Sequence, residues 1–361
     1  MTTAVVSDLH LGTQLGNDVA RRPEVRARLA EGLAAADRVV FLGDTIELRE
    51  QPVEQVLEAV GPALADLADV LAGKPVTLVA GNHDHRLVEP LLDAERVEGG
   101  ALALDWTVPA EATGIGRQMA ARLPGSELTL AYPGVWVRDD VYALHGHYLD
   151  LHMTVPRLES ILGGLFARSM LGRSNGGPTS ADEYERALGP LYALAYALAQ
   201  GLGGKANKGH TSISRVIWER ANQDGGRGGP ARLLLSRVAI PAGVAALNRA
   251  GLGPFSPELT GVELRRSGLR AMADVVRRLG IEANHVLFGH THRPGPLQRD
   301  DPDDCWLMPE GTRLWNTGSW YREQVLSGTD DPDSPYWPGT LTYVRDSGPP
   351  ELVNLIRDIR L

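Results

Sequence analysis

The chain has 361 residues, 43% of them hydrophobic and 22% charged, which is ordinary for a soluble globular protein able to bury a substantial core. Its single cysteine, Cys305, excludes internal disulfides and a cysteine-rich zinc site, and fits a reducing cytosol. The net charge of −9 conceals a division: residues 150–282 carry 17 Lys plus Arg against 11 Asp plus Glu, a balance of +6, and the remainder stands at −15. A basic segment on an acidic body suits an anionic ligand and argues against a nucleic-acid duplex, which needs a long basic groove.

No basic stretch followed by an apolar core opens the chain, so no signal peptide is predicted and a cytoplasmic protein is expected. Over residues 1–105 strand and helix alternate, with strands at 4–7, 38–42 and 76–80 and helices near 23–36, 53–71 and 86–92. That alternation implies right-handed βαβ units and a largely parallel sheet. Val56, Val60, Leu64, Leu67 and Leu71 fall three and four apart, as a sheet-covering helix face requires. Residues 106–124 show no clear pattern and are assigned to loop and helix. Strands at 127–132, 135–138 and 141–145, broken by Pro133-Gly134 and Asp139-Asp140, open a second, more antiparallel sheet.

Between 150 and 282 the strand signals vanish. Helical segments near 154–171, 181–202, 212–222, 232–249 and 267–279, separated by Gly, Ser and Pro, read as an inserted helical cap. The charge-free stretch 187–204 contains Gly189, Pro190, Gly201, Gly203 and Gly204, and suits a buried helix better than a membrane span. Segment 232–249 alternates apolar runs with Arg232, Arg237 and Arg249, the pattern of a buried cap helix or of one lying on anionic lipid. Core strands return at 285–288, 313–316, 340–345 and 352–357, with an exposed acidic loop expected at 300–304. The predicted organisation is a core of residues 1–149 and 283–361 interrupted by the 150–282 cap.

Five apolar strands end alike, each delivering Asp, Asn or His at its carboxyl end. They run into Asp8-Leu9-His10, Gly43-Asp44, Gly81-Asn82-His83-Asp84, His145-Gly146-His147 and Gly289-His290-Thr291-His292. In open α/β sheets that edge is where ligands bind. Asp8 and His10 stand two apart, as do His290 and His292, which on extended chain puts each pair on one face. Carboxylates mixed with neutral imidazoles suit Mn²⁺, Fe or Zn²⁺ better than Ca²⁺ or Mg²⁺. Spacing alone does not choose between His145 and His147.

Taken in order, these motifs resemble the calcineurin-like metallophosphoesterases. The resemblance implies an α/β fold, a four-layer α/β/β/α sandwich, with two divalent metal ions at the sheet edge, Mn²⁺ foremost. It implies one metal on Asp8, His10, Asp44 and His292 and the other on Asp44, Asn82, His145 and His290, with Asp44 bridging. Two such cations about 4 Å apart clamp a phosphate and acidify a water held between them, so the expected activity is phosphoester hydrolysis. His83 would donate a proton to the leaving oxygen, and Asp84 would orient its imidazole. Glu47 is a candidate to hydrogen-bond a ligand from behind. Arg293 and His147 are candidates to touch substrate, His85 and His152 to sit in ordinary hydrogen bonds, and His285 to be structural.

The nearest branch by likeness is that of the UDP-2,3-diacylglucosamine hydrolases. Its marks are Ser7-Asp8-Leu9-His10-Leu11, the 43–48 segment, Gly289 through Pro294, and Asn316-Thr317-Gly318-Ser319-Trp320. Two positions depart from it: His83 stands where that branch has Arg, and Gly146-His147 follows His145 in place of Gly-Asp. The expected partner is a phosphorylated small molecule or lipid-linked substrate, with no nucleic acid and with peripheral membrane contact through the cap as one possibility.

Overall fold

The computed structural model describes residues 1–154, 177–201, 261–301, 304–322 and 331–361. Its contacts divide the chain into two units: Met1–His147, Tyr192–Lys205 and Ile281–Leu361 form the first, and Tyr148–Leu191 with Ala206–Gly280 the second. The predicted helices near 212–222 and 232–249, and most of that near 154–171, lie outside the described residues.

The first unit is α/β. Strands β1 (Thr3–Val6), β2 (Arg38–Leu42) and β3 (Pro75–Val79) run parallel, joined through α1 (Pro23–Ala34) and α2 (Val53–Leu71). Both faces of these strands are buried, which is why they read as unbroken apolar runs. Helix α2 buries Val56, Val60, Leu64, Leu67 and Leu71, the face expected from their spacing. Helix α1 comes so close to the sheet that a Cβ on Gly32 would collide with Leu341 and Leu355. After α3 (Glu89–Glu98) comes β4 (Asp105–Pro109), a strand where loop and helix are expected. No residue of β4 is fully buried and it pairs with one neighbour, so no apolar run announces it.

The expected break at Pro133-Gly134 is a bend inside one strand, β5 (Glu127–Arg138). Up to Ala131 it pairs in parallel with β3; from Gly134 it pairs antiparallel with β6 (Val141–Leu144). One strand therefore serves two half-sheets. A side chain at Gly134 would run into the Tyr142 ring and Ala143 O across the ladder, so only glycine fits there. The second half-sheet continues through β7 (His285–Phe288) and β8 (Arg313–Asn316), both parallel to their neighbours. It is thus less antiparallel than expected, and the antiparallel strands β9 (Thr340–Val344) and β10 (Glu351–Asn354) extend the first half-sheet instead.

Val5, Val40, Leu42 and Val79 form one cluster with Val141, Ala143, Leu287 and Trp315, so the half-sheets pack face to face through the curl at β5. The carboxyl ends of β1, β2, β3, β6 and β7 open on the loops that carry the five polar motifs.

In the second unit, α5 (Ala181–Gly201) begins and α6 (Gly261–Arg278) buries Leu269, Met272, Val275 and Val276, with Arg265, Arg270 and Arg277 among its other residues. His152 bonds Tyr184 Oη at 2.6 Å, and Tyr148 stacks on Tyr184. Among the described residues no helix is long and apolar enough to cross a membrane.

Candidate metal centre

The loops leaving β1 and β2 run side by side. Asp8 N–H donates to Gly43 O at 3.1 Å, His10 N–H to Asp44 O at 2.8 Å, and Glu47 N–H returns to Leu11 O at 2.9 Å. Among the described residues five non-glycines have positive φ, namely Asp8, His10, Asp44, His290 and His292, and all five belong to the expected ligand set. Such backbone costs on the order of 1–3 kcal/mol per residue and persists only where surrounding bonds hold it. It also corrects one expectation. Asp8 and His10 share a face through left-handed backbone past the end of β1, not through strand alternation, and the same holds for His290 and His292.

Three groups of ligand atoms result, one of them, His10 with Asp44 and His83, overlapping the other two. Asp8, His10 and His292 form one of those two, and Asp44, His145 and His290 the other, the atoms in each lying within 4.8 Å of one another. Asp44 Oδ2 lies 3.1 Å from His145 Nε2 and 3.7 Å from His10 Nε2, between the groups. Asn82 Oδ1 joins the second at 3.2 Å from His145 Nε2 and 3.1 Å from His290 Nδ1. Glycine makes this convergence possible: a Cβ on Gly81 would overlap Asp44 Oδ1, and one on Gly289 would overlap Asp8 Oδ2.

Hydrogen bonding fixes which way the imidazoles face. His145 Nδ1 lies 3.0 Å from Leu42 O, so it carries the proton and Nε2 turns a lone pair toward Asp44 and Asn82. His10 Nδ1 faces Glu47 Oε2 at 3.1 Å, leaving Nε2 as a lone pair 3.2 Å from His292 Nε2. Carboxylate oxygens and imidazole lone pairs crowded in a buried place repel unless a positive charge sits among them. The carboxylates draw positive charge to the same place. Burial alone would lower the affinity of His145 for a proton, yet Asp44 and Asp8 carry its pKa up to about 9. Burial would raise Asp44, but His145, His83 and His10 hold it well below the ordinary carboxylate range. A donor set of this kind fits divalent cations.

His83 has its side chain about one quarter exposed, and its Nδ1 lies 2.6 Å from Glu47 Oε2. Asp84 does not orient it, contrary to expectation. The Asp84 carboxylate accepts instead from the backbone N–H of Gly81 and of Thr45, both at 2.7 Å, tying two loops together. Burial and the nearby Asp44 raise its pKa to about 6. Glu47 thus takes the role assigned to Asp84, and one carboxylate serves both His83 and His10.

The substrate candidates fare differently. Arg293 is 5% exposed, and its guanidinium grips Asp300 in a two-pronged pair and lies over Trp306, so it faces away from any phosphate role. Asp300 and the buried Asp304 likewise make the acidic loop less exposed than expected. His147 is buried, bonds Tyr132 Oη at 3.0 Å and stacks on that ring. Burial, with His145 and His290 beside it, keeps His147 neutral. Of the two neighbouring histidines, His145 is the one turned into the ligand cluster. His85 packs against Tyr132 and Tyr192, and His285 accepts from Trp315 Nε1 at 3.1 Å, a structural bond as expected.

Three residues contribute to the site without being among the expected ligands or substrate contacts. Asn316 Nδ2 donates to Gly289 O and Thr291 Oγ1, both at 2.9 Å, pinning the last histidine loop. Tyr321 lies against His10 and His292. Arg49 stands beside Asn82. Only the first had a signal, the polar turn after β8.

Residues 1–168 match the family described as Calcineurin-like phosphoesterase. No curated protein matches the chain. Among solved structures, a dimetal phosphatase from Danio rerio is similar, with 11% identity, 99% of each chain covered and a TM-score of 0.35. That last likeness is too slight to bear on function. The family match over residues 1–168 and the clustered ligands support a metal-dependent phosphoesterase.

Proposed function

We propose that the chain is a dinuclear phosphoesterase that cleaves a phosphoester or pyrophosphate bond in a small or lipid-linked substrate. The observation carrying this reading is the pair of ligand groups with Asp44 Oδ2 lying between them, 3.1 Å from His145 Nε2 and 3.7 Å from His10 Nε2. Asp8, His10, Asp44 and His292 would hold one cation, and Asp44, Asn82, His145 and His290 the other. Mn²⁺ is the proposed metal, with Fe or Zn²⁺ the alternatives, since carboxylate and imidazole donors are mixed. When bound, the cations supply Lewis acidity and a nucleophilic water.

The chain's own groups do the rest. Glu47 accepts from His83 Nδ1, which leaves Nε2 to carry a proton toward the leaving oxygen. Burial opposes that charge on His83, but Glu47 and Asp44 outweigh it and raise its pKa. A nucleotide-sugar or lipid-linked pyrophosphate is the proposed substrate class, supported by the +6 balance of residues 150–282. A phosphomonoester or a cyclic nucleotide is the alternative. The proposed setting is the cytoplasm, with contact at the inner membrane face through the 150–282 segment.

The test is metal analysis of chelated and reconstituted protein alongside hydrolysis of bis(p-nitrophenyl) phosphate. About two bound Mn²⁺ per chain and activity abolished by chelation are expected. Binding of less than one equivalent, or hydrolysis indifferent to chelator, would end the dinuclear reading.

A further inference from the structure

Helix α5 ends in the first unit, where residues 192, 196 and 200 stand four apart and so fall on one side of it. Each of the three meets a loop that leaves the sheet edge. The Tyr192 ring lies 5.1 Å from that of His85 and 5.4 Å from that of His147. The Arg86 guanidinium lies over the Tyr196 ring at 5.1 Å. Gln200 Oε1 accepts from Val53 N–H at 3.1 Å, and Gln200 Nε2 donates to Gln51 O at 3.4 Å.

Tyr132 completes the arrangement from the sheet. Its ring lies 5.5 Å from His85 and 5.9 Å from His147, so four rings form a closed cycle in which imidazole and phenol alternate. His85 is buried three residues past Asn82, and His147 is buried two residues past His145, whose ring it meets at 5.5 Å. Ring pairs prefer particular offsets and angles, so the cycle fixes where the imidazoles sit as well as filling space. Ligand distances in a metal site hold to about 0.2 Å, so a small shift of either imidazole reaches the ligands beside it. The loops served leave β2, β3 and β6, which carry Asp44, Asn82 and His145. His10 and His292 have a different wall, Tyr321, at 5.0 and 5.7 Å.

From this geometry we infer that Tyr192 is a positioning residue for one cation of the pair, the one assigned to Asp44, Asn82, His145 and His290. The inference rests on the dinuclear reading above and deepens it. Tyr192 acts through His85 and His147, each of which stands next to a ligand-bearing segment. Tyr196 and Gln200 hold α5 at the height where Tyr192 meets both imidazoles. The cation assigned to Asp8, His10, Asp44 and His292 depends on Tyr321 in the same way and is indifferent to Tyr192.

The test uses the full chain, stripped with chelator and titrated calorimetrically with Mn²⁺, as wild type and as Tyr192→Leu. The variant is expected to bind one Mn²⁺ about 10- to 100-fold more weakly, the loss seen when a group behind a ligand is removed. The other Mn²⁺ should keep its affinity within about 2-fold, as sites with separate supports do. Tyr192→Phe keeps both ring contacts and should keep both affinities. Tyr192→Leu combined with Tyr321→Leu should weaken both cations, since the two rings back different ligands; one cation weakened and the other untouched would overturn the assignment. A fall in both affinities for Tyr192→Leu alone is the mark of a loosened core, and it overturns the inference, as does no fall in either. If Tyr192→Leu does not fold, Tyr192→Met carries the same expectation; if neither folds, Tyr192 serves the fold and the inference is lost. A wild-type chain binding less than one Mn²⁺ overturns the dinuclear reading itself, and this inference with it.

Discussion

Replacing Glu47 with Gln perturbs the site at a point where one carboxylate holds two imidazoles. Glu47 is 1% exposed; its Oε2 accepts from His83 Nδ1 at 2.6 Å and from His10 Nδ1 at 3.1 Å. Oε1 accepts from Arg49 N–H at 2.9 Å. Burial would raise its pKa, but His83 and His10 hold it far below the ordinary carboxylate value, so the charge is present. Glutamine keeps the shape and has one acceptor oxygen. Facing the rings, that oxygen leaves an NH₂ against the Arg49 N–H; reversed, the NH₂ meets two ring N–H groups. Either way a buried donor lacks an acceptor and the hydrogen bonds lose their charge, together about 2–5 kcal/mol.

The rings have one escape, moving their protons from Nδ1 to Nε2. That relieves the clash but turns His10 Nε2 from a lone pair into an N–H, which cannot ligate. Stability and metal affinity are therefore set against each other. Urea titration of chelated protein at constant slope, with calorimetric Mn²⁺ binding, reads both. The expected result is a loss of about 2–5 kcal/mol or a roughly 10- to 100-fold fall in metal affinity. Stability within about 0.5 kcal/mol of wild type with unchanged metal affinity would refute the reasoning.

His83→Ala should lower turnover most for esters with poor leaving groups while about two metals stay bound; equal loss on activated and unactivated esters would remove its proton-donor role. Gly81→Ala places a Cβ on Asp44 Oδ1 and should weaken metal binding at a stability cost of about 1–3 kcal/mol, with far-ultraviolet dichroism unchanged. Metal content equal to wild type would show that the loop gives way freely. Arg293→Met breaks a buried ion pair and should cost about 3–5 kcal/mol in denaturant while leaving KM alone. A raised KM at unchanged stability would return Arg293 to the substrate.

Much of the fold was legible because β1, β2, β3 and β7 are buried on one or both faces and so declare themselves as apolar runs ending in polar motifs. The sheet-facing stripe of α2 was legible for the same reason. β4 was not, since an edge strand with no fully buried residue carries no such run. Nor was the continuity of β5, because Pro133-Gly134 reads as a turn whether the chain reverses there or bends between partners. The basic residues expected to flank an anion, among them Arg157, Arg168, Arg173, Lys205, Lys208, Arg215 and Arg237, lie outside the described residues.

The sequence by itself determined which residue types gather at the sheet edge, because strand ends and glycines are local properties and the motifs follow them in order. Which of those side chains face inward was decided only by the tertiary structure. Asp84 is the chain neighbour of His83 and Glu47 lies 36 residues away, yet the neighbour meets backbone N–H groups and the distant acid meets the ring. His145 and His147 are two residues apart, yet one faces Asp44 and the other Tyr132. Arg293 follows a ligand directly and is drawn off by Asp300, seven residues further along. A hydrogen bond depends on distance and direction in space, and for side chains on converging loops neither is written in their spacing along the chain.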